Sequence, residues 1–587
     1  MTLLIRRALF LSVVLCVSLW TLLYLLDTPR FESFNPLHTF TSHSQQPRFR
    51  WKHVKQRYPV DSLQSLPTGP AQSIPQIQHT FGTETPEERR VREKRRDAVK
   101  RSFQHSWKGY KHHAWLHDEV APLTGDYKNG YGGWGATLVD SLDTLWIMGL
   151  HKEFAVAVAA LKHIDLTTSP LQLINVFETN IRYLGGLLSA FDVSGGKHNE
   201  LLQKAVELGD MLYVAFDTPN RMPITHWDWE NGATDGPQET PMHASLAEYG
   251  SFTLEFTRLS QLTGDPKYYD AVQRVMDMFD QHQDDTKIPG LWPVWLNPQS
   301  EGPAFSSRDT TFTMGAMADS LYEYLPKQHL LLGGRTNQYS RMYEKALTTA
   351  KERLFFKPLT PENHDILISG VLKRLSAVNI NLLKEGSHLT CFVGGMVALG
   401  ARAFANDSEL VTARQLTDGC IWAYESMPSG IMPEVFLAKS CTPNDCEWSD
   451  ERWYEGIKHD DTDADSEARR LPLEQRAQRV IDRQNLVPGF TRIKDPRYIL
   501  RPEAIESVFV MYRITGDKTL QDKAWNMFSA IERGAKTDIA YAEIQDVSVA
   551  KSDLTDSMES FWTAETLKYF YLIFSEPDLI SLDDFVL

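Results

Sequence analysis

The residues of this sequence whose types and spacing could do chemistry are carboxylates. In Phe177-Glu178-Thr179-Asn180-Ile181-Arg182-Tyr183-Leu184-Gly185-Gly186-Leu187-Leu188-Ser189, the positions Phe177, Ile181, Leu184 and Leu188 make an apolar stripe at helical spacing. One position round lie Glu178, Arg182, Gly185 and Ser189, a face too polar and small for packing. Glu178 and Arg182 stand at i and i+4 and can pair, either on an open surface or in a site. In Arg501-Pro502-Glu503-Ala504-Ile505-Glu506-Ser507, Pro502 suits the first turn of a helix. Glu503 then sits near the positive helix end, which favours its ionised form, and Arg501 acts in the same direction. An ionised carboxylate suits a general base, and equally serves as plain dipole compensation. Glu506 shares its face. Met432-Pro433-Glu434 repeats the Pro-Glu arrangement. Asp319 and Glu323 are like charges at i and i+4, so a dry pocket would raise at least one pKa. Asp140 and Asp143 read equally well as helix caps and as site residues.

Other chemistries find no support. Gly132-Gly133-Trp134-Gly135 lacks the Lys-Ser/Thr of a phosphate loop, and His112, His113 and His117 lack the spacing of a zinc protease. No GxSxG elbow and no CxxC pair occurs. Carboxylates spread over several helices remain, and glycosidases use two of them, one as acid and one as base. The net charge of -15 argues against a nucleic-acid partner, which needs a basic face.

These carboxylates must be positioned by helices. From about residue 100 onward amphipathic stretches recur at 138–150, 153–163, 174–190, 199–215, 243–260, 267–282, 312–325, 338–355, 392–405, 412–426, 503–514, 519–533 and 557–574. A turn signal repeats: Leu262-Thr263-Gly264-Asp265 and Ile514-Thr515-Gly516-Asp517 each end one helix at Gly and open the next with Asp. Stacked helical hairpins follow, closing into an α/α barrel or extending as a solenoid. Periodicity does not choose between them.

The N-terminus sets the expected compartment. Residues 8–26 are uncharged and long enough to span a bilayer. Arg6 and Arg7 precede the run and Asp27 follows it. The expectation is a cytosolic tail at 1–7, a signal anchor at 8–26, a luminal stem at 27–90 and a catalytic domain at 91–587. Bulky Trp20, Leu22, Leu23 and Tyr24 speak against a cleavage site. The stem is rich in Pro, Ser, Gln and His. Residues 87–101 read as a solvated helix face of mixed charge, and 460–467 as an acidic loop. Asn406-Asp407-Ser408 is a glycosylation sequon. Four of the five cysteines, Cys391, Cys420, Cys441 and Cys446, could form two disulfides in an oxidising lumen.

The motifs VDSLDTLWIMGL (139–150), FETNIRYLGGLLSA (177–190), MADSLYEYL (317–325), RPEAIES (501–507) and MESFWTAETLKY (558–569) resemble the hallmarks of the class I α-1,2-mannosidases, glycoside hydrolase family 47. The resemblance runs from about Lys94 to the C-terminus. It implies an all-α fold, an (α/α)7 barrel preceded by a single transmembrane helix and a stem. It implies inverting removal of α-1,2-linked mannose from high-mannose N-glycans, assisted by calcium, in the Golgi or endoplasmic reticulum membrane. A monomer is expected. Carried over, Glu178 matches the proposed acid, Asp319 a second candidate for it, Glu434 a further pocket acid and Glu503 the base. Arg182, His388, Arg501, Glu506, Phe561 and Glu565 match substrate-binding residues, and Cys391 with Cys420 the family disulfide. Met317 stands where endoplasmic-reticulum members carry Arg, which favours a Golgi-like enzyme. Family members continue past the position of Leu587 with a segment containing Asn-Thr-Glu, whose threonine supplies calcium's direct protein ligands. An alternative expectation is therefore a catalytically weakened glycan-binding or quality-control protein.

Overall fold

The computed structural model describes residues 48–234, 236–300, 310–376, 379–442, 445–457 and 471–587. The apolar run at 8–26 and the acidic stretch at 460–467 lie outside the described residues. Among the described residues no helix is long and apolar enough to cross a membrane.

Fourteen helices carry the fold: α1 (Pro86–His113), α2 (Leu142–Ile147), α3 (His151–Ala160), α4 (Gly186–Val193), α5 (Asn199–Val214), α6 (Thr253–Thr263), α7 (Lys267–Gln281), α8 (Asp319–Leu331), α9 (Gln338–Arg353), α10 (Phe392–Ala403), α11 (Glu409–Ser426), α12 (Glu503–Thr515), α13 (Thr519–Ala535) and α14 (Leu567–Ile573). They pack in sequence-adjacent pairs: α2 on α3, α4 on α5, α6 on α7, α8 on α9, α10 on α11 and α12 on α13. The first member of each pair also packs on the first member of the next. The series α2, α4, α6, α8, α10, α12, α14 then closes, because Trp562–Thr566, which leads into α14, packs back on α2. The partner of α14 is α1, from the other end of the chain. The neighbour relations therefore form a ring rather than an open solenoid.

Local chemistry explains the pairs. In α7 the side chains Tyr268, Tyr269, Val272, Val275, Met276 and Phe279 are buried at helical spacing. In α10 nearly every residue is buried, and neighbours come so close that only glycine fits. A Cβ on Gly394 would lie 2.4 Å from Thr417 Oγ1, and one on Gly400 2.2 Å from Tyr343 Oη. The repeated turn is as read: Gly264 (φ 74°) and Gly516 (φ 72°) end α6 and α12 in the left-handed region. Asp265 accepts from Lys267 N at 3.1 Å and Asp517 from Thr519 N at 2.9 Å, opening the following helices.

The charged stretch 87–101 is part of α1, opened by a capping box between Thr85 and Glu88. It is only partly solvated. Within it Val99 and Arg92 are buried, and Arg92 reaches Glu84, Glu576 and the Phe574 carbonyl; beyond it Phe103, Trp107 and Tyr110 continue the buried face. Residues 54–85, inside the stretch read as an extended stem, hold no helix or strand. They are held to the folded domain: Tyr58 N donates to Asp217 in the turn after α5, Gln64 N to Asp270 in α7 and Ile77 N to Asp583 beyond α14.

Two departures from the helical rhythm matter. Thr179–Gly185 and Trp562–Thr566 are π-helical, each inside a stretch that periodicity read as ordinary helix. Three short strands, β1 (Glu385–Ser387), β2 (Val435–Ala438) and β3 (Phe490–Asp495), pair antiparallel in the order β1-β2-β3. Disulfides join Cys391 to Cys420 and Cys441 to Cys446.

The Cys391–Cys420 bond ties the start of α10 to α11 across 29 residues. Replacing both cysteines with serine is expected to lower unfolding free energy by about 3 kcal/mol, as for loops of this order. Denaturant titration of the two proteins checks this, and coincident midpoints would show that the ring does not depend on the bond.

Candidate active site

The small sheet places the first group of side chains. β1 ends at Ser387 opposite Val435, where β2 begins, and the ladder continues as His388 N donates to Glu434 O at 2.9 Å. Glu434 N donates to Arg497 O at 2.9 Å, so the segment after β3 joins the same edge. Glu434 then accepts from Ile499 N at 3.2 Å and from Arg501 Nε at 2.7 Å. Leu500 has φ 66°, a backbone conformation rare for a side chain that bulky. Its carbonyl is held by Thr566 Oγ1 at 2.7 Å. That turn delivers Arg501 and Glu503 to the start of α12. Met317 (φ 68°) stands likewise just before Asp319, the first residue of α8.

Glu503 lies between two partners. His388 Nδ1 is 2.8 Å from Oε2, and Arg501 Nη1 is 3.7 Å from Oε1. Burial would raise the Glu503 pKa, but the His388 hydrogen bond and the Arg501 charge outweigh it and hold the carboxyl below the usual range. Its neighbours go the other way. Burial lifts Asp319 to about 7, with Glu503 and Glu323 adding repulsion against the Ser320 N–H and Arg501. Burial pushes Glu565 up to about 8, helped by Asp140, Glu503 and Glu323 and opposed by Lys568. Glu506 is raised well above its ordinary value by burial and by Glu323, against Lys327. Lys327 Nζ lies 2.5 Å from Glu323 and 3.5 Å from Glu506.

The Glu178 side has its own cation. Arg182 Nε donates to Glu178 at 2.7 Å, as the i,i+4 spacing anticipates, although the intervening turn is π-helical. Arg182 also donates to Ser560 Oγ at 2.8 Å and pairs with Glu559 at 3.2 Å. Its guanidinium lies over Tyr131 at 4.1 Å, and Tyr131 Oη donates to Glu559 at 2.8 Å. Buried Asp118 positions Tyr131 by accepting its N–H at 2.8 Å. Phe561 stands between the two halves, 5.5 Å from Arg182 and 5.8 Å from Arg501.

The structure therefore brings the residues singled out from sequence into one region: Glu178 with Arg182 on one side, Glu503, Arg501, Glu434, His388 and Asp319 on the other, and Glu506 and Glu565 among them. Glu178, with 25% of its side chain exposed, is more open than Glu503 at 13%. Asn406 is exposed, and its Oδ1 accepts from Ser408 at 2.6 Å. Sequence reasoning missed Glu559, Ser560, Tyr131, Lys327 and Tyr424. For Lys327 a signal existed, since it stands at i+4 from Glu323. Asp140 is a buried carboxylate rather than a cap: Ser560 Oγ, which also binds Arg182, donates to it at 2.5 Å, and burial lifts its pKa to about 6. Asp143 is not a cap either, accepting instead from Ser189 and Lys568.

Comparison with known proteins agrees with this arrangement. The model of glycosyl hydrolase family 47 matches residues 102–587. The chain is 34% identical over 508 residues to a mannosyl-oligosaccharide 1,2-alpha-mannosidase of Arabidopsis thaliana, covering 84% of this chain and 78% of that one. It is 33% identical over 490 residues to the endoplasmic reticulum mannosyl-oligosaccharide 1,2-alpha-mannosidase of Homo sapiens, covering 82% of this chain but only 61% of the human protein. Among solved structures, the alpha-1,2-mannosidase from Trichoderma reesei matches with a TM-score of 0.70 at 30% identity, covering 82% of this chain and 94% of that one. The helical fold is the one seen there.

Asp319 carries a stability prediction. Its folded pKa of about 7 lies above the ordinary aspartate value, so between about pH 4 and pH 7 the folded state binds the extra proton. Stability from this group is present at low pH and lost as pH rises through about 7. Asp319→Asn is thus expected to gain stability over the wild type progressively from about pH 4 to pH 7, then to hold a constant advantage. Thermal denaturation of both across that range checks it; a gap that does not vary with pH would refute the shift.

Proposed function

The chain belongs to glycosyl hydrolase family 47, and on that premise we propose that it removes α-1,2-linked mannose from high-mannose N-glycans with inversion, on a ring of helices best read as an (α/α)7 barrel. The observation that carries the mechanism is the split in protonation. Glu503 is kept ionised by His388 and Arg501, while Asp319 and Glu565 are pushed into the range where they hold protons near neutrality. An inverting glycosidase needs both forms at once.

In this reading Glu503 takes a proton from water as it attacks the anomeric carbon from the face opposite the leaving oxygen. Asp319 gives its proton to that oxygen. Glu178 already has one carboxylate oxygen engaged by Arg182, so the acid role falls to Asp319, with Glu178 and Glu434 as binding acids. Arg182, Arg501, Glu506 and Glu565 supply polar contacts to sugar hydroxyls, whereas His388, expected among the substrate-binding residues, is fully buried with both ring nitrogens engaged and acts through Glu503 instead. Phe561, flanked by two guanidinium groups, offers an aromatic face to the ring. Developing positive charge on an oxocarbenium-like sugar is favoured by the surplus of carboxylates.

Calcium is the cofactor expected from the resemblance. Among the described residues no three His, Cys, Asp or Glu side chains converge to hold a metal. Glu506 and Glu323 already share Lys327, and Glu565 feels Lys568. No step above is routed through a metal.

The compartment is read from the same sources. Residues 8–26 serve as the anchor, 27–90 as the stem and 91–587 as the catalytic domain in the Golgi or endoplasmic reticulum lumen, acting as a monomer. Two disulfides and an exposed sequon at Asn406 support an oxidising, glycosylating compartment.

Release of mannose from α-1,2-mannobiose, with and without added calcium, tests the activity. The wild type is expected to turn over, and Glu503→Gln to lose about 10²- to 10⁴-fold in kcat while still binding the disaccharide. Binding without turnover in the wild type under both conditions would favour a glycan-binding protein instead. The pH profile adds a second check. Activity is expected to fall as pH rises through about 7, where Asp319 loses its proton. An alkaline limb elsewhere would displace Asp319 as the acid.

A further inference from the structure

Behind Glu503 the His388 contact continues, through buried groups, to α11. His388 is fully buried, with Nδ1 2.8 Å from Glu503 Oε2 and Nε2 2.8 Å from Tyr424 Oη. Tyr424, also buried, belongs to α11. An ionised Glu503 has no proton to give, so Nδ1 must be the donor there. In the neutral ring Nε2 is then a buried lone pair, which needs a donor of its own. The Tyr424 hydroxyl is within reach to be that donor.

We propose that Tyr424 is a positioning residue for the Glu503 carboxylate: its hydroxyl donates to His388 Nε2 and so fixes the tautomer whose Nδ1–H donates to Glu503. The inference rests on Glu503 being the base. Without the hydroxyl, the ring is free to place its proton on Nε2, and the bare Nδ1 lone pair then faces the carboxylate. The carboxylate loses a hydrogen bond and takes up a proton more readily.

The covalent framework is built around this contact. His388 opens the 3₁₀ turn His388–Cys391, so Cys391 is three residues past it. Cys420 is four residues before Tyr424, one turn back along α11. The Cys391–Cys420 disulfide therefore clamps the two backbone segments that carry the imidazole and the phenol. We assign it this second duty, beside stability. The His388 backbone is further held by Glu434 O.

Other groups also act on Glu503 and set the background against which Tyr424 is read. Arg501 faces it from the turn before α12, Asp319 from α8, Glu565 from the π-helical segment before α14, and Glu506 from its own helix. Tyr498 packs beside His388, with ring centroids 5.6 Å apart, and its hydroxyl donates to Arg501 O at 3.3 Å. None of these reaches Nε2 of His388, but the Tyr424 hydroxyl also meets that of Tyr498, so Tyr498→Phe is the control that separates the two contacts.

The test is the pH profile of the full-length protein on α-1,2-mannobiose. Tyr424→Phe is expected to lower kcat by about tenfold, as outer partners of working histidines do, with KM little changed. The acid limb of kcat/KM is expected to move up by about one unit, because the base is now easier to protonate. A 3-fluorotyrosine placed at 424 keeps the shape and the donor, and should restore kcat with the acid limb at or below the wild-type position. This second protein also decides the case if the phenylalanine variant does not fold: an acid limb moved upward despite the retained hydroxyl would overturn the proposal. A folded Tyr424→Phe with wild-type kcat and acid limb would overturn it too. If that happens while Glu503→Gln is inactive, Glu503 stands as the base and only Tyr424 is dismissed. An active Glu503→Gln would instead remove the reading beneath both.

Discussion

Glu503 is surrounded by acids that burial drives toward the neutral form, and its own ionisation depends on two contacts, the 2.8 Å hydrogen bond to His388 and the charge of Arg501. Much of the local structure is arranged to maintain them. The three-stranded sheet sets His388 beside Glu434, and Glu434 in turn holds Arg501. A left-handed residue at Leu500 turns Arg501 into place, and such strain persists only where the surroundings over-determine it. The Thr566 hydroxyl on the Leu500 carbonyl is one such support. Removing either contact would raise the Glu503 pKa towards those of its neighbours.

The ring explains why so many carboxylates meet. Asp319 and Glu503 are the first residues of α8 and α12, and His388 stands just before α10. Glu178 and Glu565 belong to segments that lead into α4 and α14. Five of the ring's inner helices, α4, α8, α10, α12 and α14, thus begin at or just after site residues. Closure depends on the far ends of the chain meeting. The pairing of α1 with α14 is reinforced by Arg92 on Glu84, Glu576 and the Phe574 carbonyl. The two π-helical segments carry Arg182 and Glu565, in keeping with the tendency of such bulges to sit at functional sites.

The sequence made some of this legible and not the rest, for physical reasons. Helices announce themselves by apolar spacing, so most of the ring was readable, as was the Gly-Asp turn between paired helices. Ring or solenoid was not, because both bury the same faces; α1 against α14 decides it. The Glu178–Arg182 pair and the ionised Glu503 followed from i,i+4 spacing and from a helix start. Asp140 was not distinguishable from a cap, since its partner Ser560 lies 420 residues away. Tyr424 and Glu559 were likewise hidden by long-range pairing. The sheet strands run only three to six residues, too short to show alternation. His388 entered only through family resemblance, because nothing local marks a histidine that works through a carboxylate 115 residues on.

The central claim is that Glu503 acts as a base on water while a separate protonated carboxyl serves the leaving oxygen. The most direct measurement is the anomeric form of the mannose first released from an α-1,2-linked disaccharide, followed by proton NMR before mutarotation. The account predicts β-mannose, the inverted anomer. α-Mannose as the first product would mean that a carboxylate attacks the sugar itself, and would contradict it.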